Sequence, residues 1–184
     1  MTSVAVPIWS GAGHTRKLAA AIAEGVARAG GTAMVLEVTD LDDAGWQTLH
    51  DADAILFGAP TFMGNVAGAF KTFMDETSDF WSDLPWKDKI AGGFTVGSSP
   101  SGDKLNTLMT LAIFASQHAM IWVGPDEIGP PTNKHETDIN RDGFLLGMAA
   151  TSSRDKTELI PPGDMETARR YGARITTLTQ RLRA

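Results

Sequence analysis

The 184-residue sequence contains no cysteine. Disulfides, thiolate nucleophiles, zinc–thiolate sites and iron–sulfur clusters are thereby excluded. Positive charge is scarce: 16 Lys and Arg stand against 22 Asp and Glu, for a net charge of −6. No Lys/Arg cluster offsets this balance, which argues against a nucleic-acid surface and against an anionic membrane as partners. Long apolar runs are also missing, so no segment is fit to span a bilayer. The start, Met1-Thr2-Ser3-Val4, lacks a basic n-region, and a cytoplasmic location is the expectation. No G-x-S-x-G elbow, HExxH or paired-carboxylate motif is present. The chemistry must therefore come from a bound cofactor.

The sequence alternates between strand and helix patterns over its whole length, which predicts one α/β domain, residues 1–184. Val4 to Trp9 reads as a central first strand, although Pro7 removes a ladder donor and suits an edge better. A helix follows with Leu18, Ile22, Val26 and Ala29 on one face, ended by Gly30-Gly31. Met34, Leu36 and Val38 share one side of a second strand. Asp40, Asp42 and Asp43 read as a solvated acidic turn, and no metal site is expected. Ala54 to Phe57 is a short buried strand, and the next helix is predicted to start at Asn65 as N-cap, with Val66, Phe70, Phe73 and Met74 inward. Ile90 to Val96 forms a fourth strand whose glycines predict close helix packing. Leu105, Leu108, Met109, Ala112 and Ala115 mark another helix, and Met120 to Val123 a fifth strand. Residues 124–163 form a long Gly- and Pro-rich segment of the kind used as a lid or an oligomer contact. A last helix from Asp164 places Met165, Ala168, Gly172, Ile175, Leu178 and Leu182 inward, with Arg169, Arg170, Arg181 and Arg183 in water. Five strands with these connections predict a doubly wound parallel sheet, helices on both faces.

Three loops at the carboxyl ends of strands are made of small, hydrogen-bonding residues. The first, Ser10-Gly11-Ala12-Gly13-His14-Thr15, feeds a helix N-terminus, where free N–H groups and the dipole favour a phosphate. No Gly-Lys-Ser/Thr follows, and Arg16 replaces the third glycine of a dinucleotide fingerprint, so a monophosphate fits better than a pyrophosphate. The second loop is Pro60-Thr61-Phe62-Met63-Gly64-Asn65, and the third is Ser98-Ser99-Pro100-Ser101-Gly102. In a sheet of order 2-1-3-4-5 these loops converge at the switch point. The residues alone point to a phosphate-bearing planar ligand.

The run from Gly58 to Thr77, with G-x-P-T-x-x-G-N-x-x-G-x-x-K-x-F-x-D-x-T, resembles the flavin-ring loop and helix of the WrbA-type flavodoxin-like NAD(P)H:quinone oxidoreductases. S-x-x-G-H-T at Ser10–Thr15 resembles the phosphate loop of the same family. The likeness covers nearly the whole chain, which resembles a short-form member because residues 40–50 lack a longer insertion. It departs from the family at Pro7 and in the proline-containing third loop. The resemblance implies a flavodoxin-like fold and FMN held by all three loops, with NAD(P)H as hydride donor. It also implies two-electron ping-pong transfer through flavin N5 to a quinone, and a homo-oligomer. Reduction of flavin, nitro or azo acceptors would use the same site. A flavodoxin-type electron carrier and a non-redox regulator are the remaining classes. Trp81 falls where the family has a tryptophan beside the flavin. Ser116-Gln117-His118-Ala119-Met120 resembles the stretch carrying its pocket histidine, so His118 and Trp81 are the catalytic candidates.

Overall fold

The computed structural model describes residues 1–153, 155 and 157–184. Its chain order is β1 (Thr2–Ile8), α1 (His14–Arg28), β2 (Gly31–Glu37), α2 (Asp43–Asp51), β3 (Ala54–Gly58), β4 (Thr61–Phe62), β5 (Asn65–Val66), α3 (Gly68–Glu76), β6 (Ile90–Gly97), α4 (Lys104–Gln117), β7 (Ile121–Trp122), β8 (Met148–Thr151) and α5 (Pro162–Arg183). The main sheet runs β2-β1-β3-β6-β7, with β8 also on β6. Every pairing in it is parallel.

Strand alternation divides the core into two layers, as a period of two requires. Val4, Val6, Ile8, Leu56 and Phe94 pack with Leu18, Ile22 and Val26 of α1 and Tyr171 and Ile175 of α5. Ala5, Ile55, Phe57 and Ala91 face the opposite way, onto Leu49, Phe70, Phe73, Leu111 and Phe114. This is the doubly wound arrangement. The glycines of β6 admit the expected helix packing: a Cβ at Gly92 would lie 2.3 Å from the Tyr171 hydroxyl of α5 and one at Gly93 3.1 Å from Leu111 of α4, though Gly93 also makes room for the Trp122 ring of β7 at 2.6 Å. Pro7 stays in the central strand. Pairing of β1 with β3 lapses there, between Ala5↔Ile55 and Ile8↔Gly58, and resumes where the Trp9 N–H donates to Gly58 O at 3.1 Å.

Four local expectations need correction. Residues 43–51 form a helix, capped where the Asp42 carboxylate accepts the Gly45 N–H at 2.8 Å. Asn65 is not a helix cap: a hairpin comes first, with Met63 and Gly64 at φ 48° and 81° forming its tip, and α3 starts only after Ala67. The fifth sheet position is shared. β7 pairs with Ile90–Ala91, and β8 pairs further along with Phe94–Gly97. Residues 123–147 are thus an insertion within that position, not the start of an unbroken loop. Finally, Leu182 is exposed, while Arg170 is drawn into ion pairs with Glu127 and Glu136 of the insertion. Arg154 and Lys156 of the expected 124–163 loop lie outside the described residues.

Candidate active site

β1, β3 and β6 are adjacent and end at the same sheet edge, with β8 completing that edge beside β6. There a crevice of about 240 Å³ opens, lined by Gly11, Ala12, His14, Thr15, Pro60, Thr61, Phe62, Val96, Gly97, Ser98 and Ser152. Each of the three expected loops therefore contributes to one site.

One end of the crevice is the N-terminus of α1. Gly13 turns the chain at φ 87°, a conformation costly for any side chain, and the helix begins at His14. The Arg16 N–H donates to Ser10 Oγ at 3.1 Å and the Lys17 N–H to Gly13 O at 3.0 Å. The N–H groups of Ala12 through Thr15 have no acceptor among the described residues. That is the donor set an anion requires at a helix N-terminus. Ser10 shapes this turn from behind, since its N–H donates to the Glu37 carboxylate at 2.9 Å. Glu37 also pairs with Arg16 at 2.7 Å, which raises the Arg16 pKa chiefly through that hydrogen bond.

The other end is a slot between the β4–β5 hairpin and the end of β6. Thr61 is fixed in it by a buried hydroxyl chain, 2.9 Å to Thr95 and 2.8 Å to Thr107. Phe62 is half exposed, with its ring edge-on to Trp9 at a centroid distance of 5.4 Å. Such a slot suits a planar, partly apolar ring. Met63 is fully exposed at the hairpin tip. Gly64 and Asn65 tie the hairpin to α4: Asn106 donates to Gly64 O at 2.6 Å and Thr110 to Asn65 Oδ1 at 2.8 Å. Ser99, Pro100, Ser101 and Gly102 form an exposed turn beyond the Ser98 wall, outside the cavity itself. Sequence reasoning missed Val96, Gly97 and Ser152. Val96 reads as strand, and Gly97 as the residue that opens the third loop, ahead of the Ser98–Gly102 stretch expected at the ring. Ser152 was hidden because β8 lay inside a segment with loop composition.

His118 and Trp81 are not brought to this crevice within one chain. They follow α3 and α4 at the opposite end of the sheet, about 20 Å along α4 from Lys104 at 1.5 Å per residue. There they line a second cavity of about 370 Å³ with Thr77 and Phe114. The Trp81 indole N–H donates to Gln117 O at 2.7 Å. His118 is 1% exposed, with Nε2 3.0 Å from Thr77 Oγ1 and its ring packed on Trp86 and Phe114. Its Nδ1 is buried and has no hydrogen-bond partner among the described residues. Burial pushes the imidazole pKa down to about 4, so it is neutral at pH 7.

A doubly wound parallel sheet with an anion cradle and a ring slot at its switch point defines a flavodoxin-like protein. Residues 9–129 match the family model for NADPH-dependent FMN reductase. The chain is 39% identical over its full length and that of the relative to Flavodoxin FldP of Pseudomonas aeruginosa. It is 28% identical to an NAD(P)H dehydrogenase (quinone) of Archaeoglobus fulgidus, covering 99% of this chain and 100% of the relative. Among solved structures, a flavodoxin, WrbA-like protein from Agrobacterium tumefaciens superposes with a TM-score of 0.78 at 37% identity, covering 98% and 99% of the two chains. The chain belongs to the NADPH-dependent FMN reductase family, in its WrbA-type, flavodoxin-like branch, and is an FMN-dependent NAD(P)H oxidoreductase. No helix among the described residues is long and apolar enough to cross a membrane.

Proposed function

We propose that the crevice holds FMN and that the protein passes reducing equivalents from NAD(P)H to a quinone in a ping-pong cycle. The convergence of an open N–H cradle and a ring slot in one crevice carries this reading. The residues present fit the group. The N–H groups of Ala12 to Thr15 would hold the phosphate. Pro60 to Asn65 and Ser98 would flank the ring, with the exposed Ser99–Gly102 turn beyond them, and Phe62 and Trp9 would supply apolar surface. When bound, FMN supplies the hydride and electron chemistry, for which the chain has no side-chain substitute. The protein's part is to orient the ring and to shape access past the half-exposed Phe62.

A carrier role is the second reading, favoured by the full-length similarity to Flavodoxin FldP. One feature supports a reductase over a carrier: relatives named NAD(P)H dehydrogenase (quinone). Homo-oligomerisation, as a dimer or tetramer, and a cytoplasmic location belong to the proposal. A second copy is also the condition on which Trp81 and His118 would take part in substrate handling, given their place at the far end of α4. The test is to purify the protein, record its flavin spectrum and time benzoquinone-dependent NADH and NADPH oxidation. Benzoquinone-dependent turnover supports the reductase. A bound flavin without turnover on either nucleotide supports the carrier.

A further inference from the structure

Lys104 is the first residue of α4 and is completely buried, a state lysine adopts almost only when paired. Its stem runs beneath the crevice wall: a Cβ at Gly97 would lie 3.2 Å from Lys104 Cγ and 3.3 Å from Cδ. All three ammonium donors are used, on Asp142 Oδ2 at 2.8 Å, Thr151 Oγ1 at 2.8 Å and Ala150 O at 3.1 Å. The Phe144 ring lies 5.1 Å from the ammonium.

Asp142 belongs to the insertion that divides the fifth sheet position, and its side chain is 6% exposed. It also accepts from the Thr151 hydroxyl at 2.5 Å. Thr151 in turn donates its N–H to the buried Asp164 at 3.1 Å. The next residue, Ser152, lines the crevice and donates its N–H to Gly97 O at 2.9 Å. Burial drives the Lys104 pKa down, opposed by Asp142. Burial works to raise the Asp142 pKa, but hydrogen bonds from Lys104 and Thr151 outweigh it and hold the carboxyl low. One buried charge thus joins the start of α4, the insertion and the turn behind the crevice. By contrast, Ser98, Ser99 and Ser101 are exposed, and their hydroxyls make no hydrogen bond among the described residues. Lys104 is the buried anchor at the end of that loop.

We propose that Lys104 and Asp142 form a buried clasp that fixes the Gly97–Asp103 loop against the flavin ring, with Lys104 as a positioning residue screened from the crevice by Gly97. The inference deepens the FMN reading of the crevice and rests on it.

The test uses the full-length chain and the variants Asp142→Asn, Lys104→Met and Lys104→Met/Asp142→Leu. Amide exchange of residues 97–103 is read without added FMN, and FMN and riboflavin affinities are read by fluorescence titration. The clasp predicts that Asp142→Asn and Lys104→Met speed loop exchange about tenfold or more while the Gly11–Thr15 loop is unchanged. Both should weaken FMN and riboflavin by the same factor of about ten, because the phosphate end is untouched. The double variant replaces the ion pair by apolar packing, which recovers stability but not the three directional bonds. Its melting temperature should return toward wild type while loop exchange and ring affinity remain impaired, and it decides the matter if a single variant does not fold. Affinity that recovers together with stability, or a loop whose exchange none of the substitutions alters, overturns the clasp. Wild-type protein that takes up no FMN defeats the FMN reading instead, and the exchange comparison still scores the clasp.

Discussion

The two cations that follow the Gly11–Thr15 loop are already committed, Arg16 to Glu37 and Lys17 to the carbonyl of Glu158. Backbone N–H groups and the α1 dipole are left to face an anion there. Thr15 is 1% exposed and lines the cradle. Thr15→Asp should place a carboxylate against the phosphate and raise the FMN dissociation constant about a hundredfold or more, with riboflavin affected far less. A fluorescence titration giving wild-type FMN affinity for that variant would remove the cradle from the site. His118 offers a second test. Its folded pKa of about 4 lies below the roughly 6.5 of an unfolded histidine. Between those values the unfolded chain binds a proton that the folded chain refuses, so stability falls as pH drops from about 6.5 toward 4 and is unaffected above. The loss from this group amounts to about 3 kcal/mol at most. Urea denaturation at pH 7 and pH 5 should show His118→Gln losing less stability than wild type over that interval. Equal losses would mean that the imidazole titrates normally. These residues were unevenly legible. Gly13 and Thr15 follow from the small-residue loop before a helix. The burial of His118 does not, because its position after Gln117 looks the same in sequence whether the ring faces water or Trp86.

At the scale of elements, α1 and α5 touch backbone to backbone. A Cβ at Gly25 would meet the Arg169 carbonyl oxygen at 1.8 Å, and one at Gly172 the Ile22 oxygen at 2.3 Å. Neither contact can be relieved by a side chain turning away. Gly25→Ala should destabilise by about 1–3 kcal/mol or more through forced separation of the helices, and because α1 carries the cradle, FMN affinity should fall with it. Chemical denaturation that leaves Gly25→Ala as stable as wild type would contradict this packing. Strands β1, β3 and β6 were readable as short apolar runs ending in Gly or polar residues. The buried face of α4 was not. Leu105 and Met109 fit the helical period as well as Leu108 does, yet they are exposed while Leu108, Leu111, Phe114 and Ala115 pack inward. A helix with apolar residues nearly all round does not announce its inner face. The hairpin was overlooked because Phe62-Met63-Gly64-Asn65 carries only one glycine, and Met63 takes up the other positive φ. β8 was missed for the opposite reason: Met148-Ala149-Ala150-Thr151 is too short and too poor in branched residues to stand out from the segment around it.

At the scale of the molecule, the architecture was legible because alternation of strand and helix patterns constrains parallel topology strongly. What could not be read was how an insertion returns to complete the sheet, since that depends on partners distant in sequence such as Lys104 with Asp142 and Arg174 with Asp126. Assembly is a prediction at this scale. Light scattering at micromolar concentration should give the mass of a dimer or tetramer, and a fully active monomer would exclude any dependence of the crevice on a second copy. On the proposed function the crevice takes FMN and accepts reducing equivalents from a nicotinamide nucleotide. The most direct measurement is anaerobic stopped-flow mixing of the FMN-loaded protein with NADH and with NADPH, following the yellow absorbance. Bleaching within the turnover time by at least one nucleotide, reversed on adding benzoquinone, is the predicted result. A flavin that stays oxidised with both nucleotides but is reduced by dithionite would contradict the reductase and leave an electron carrier.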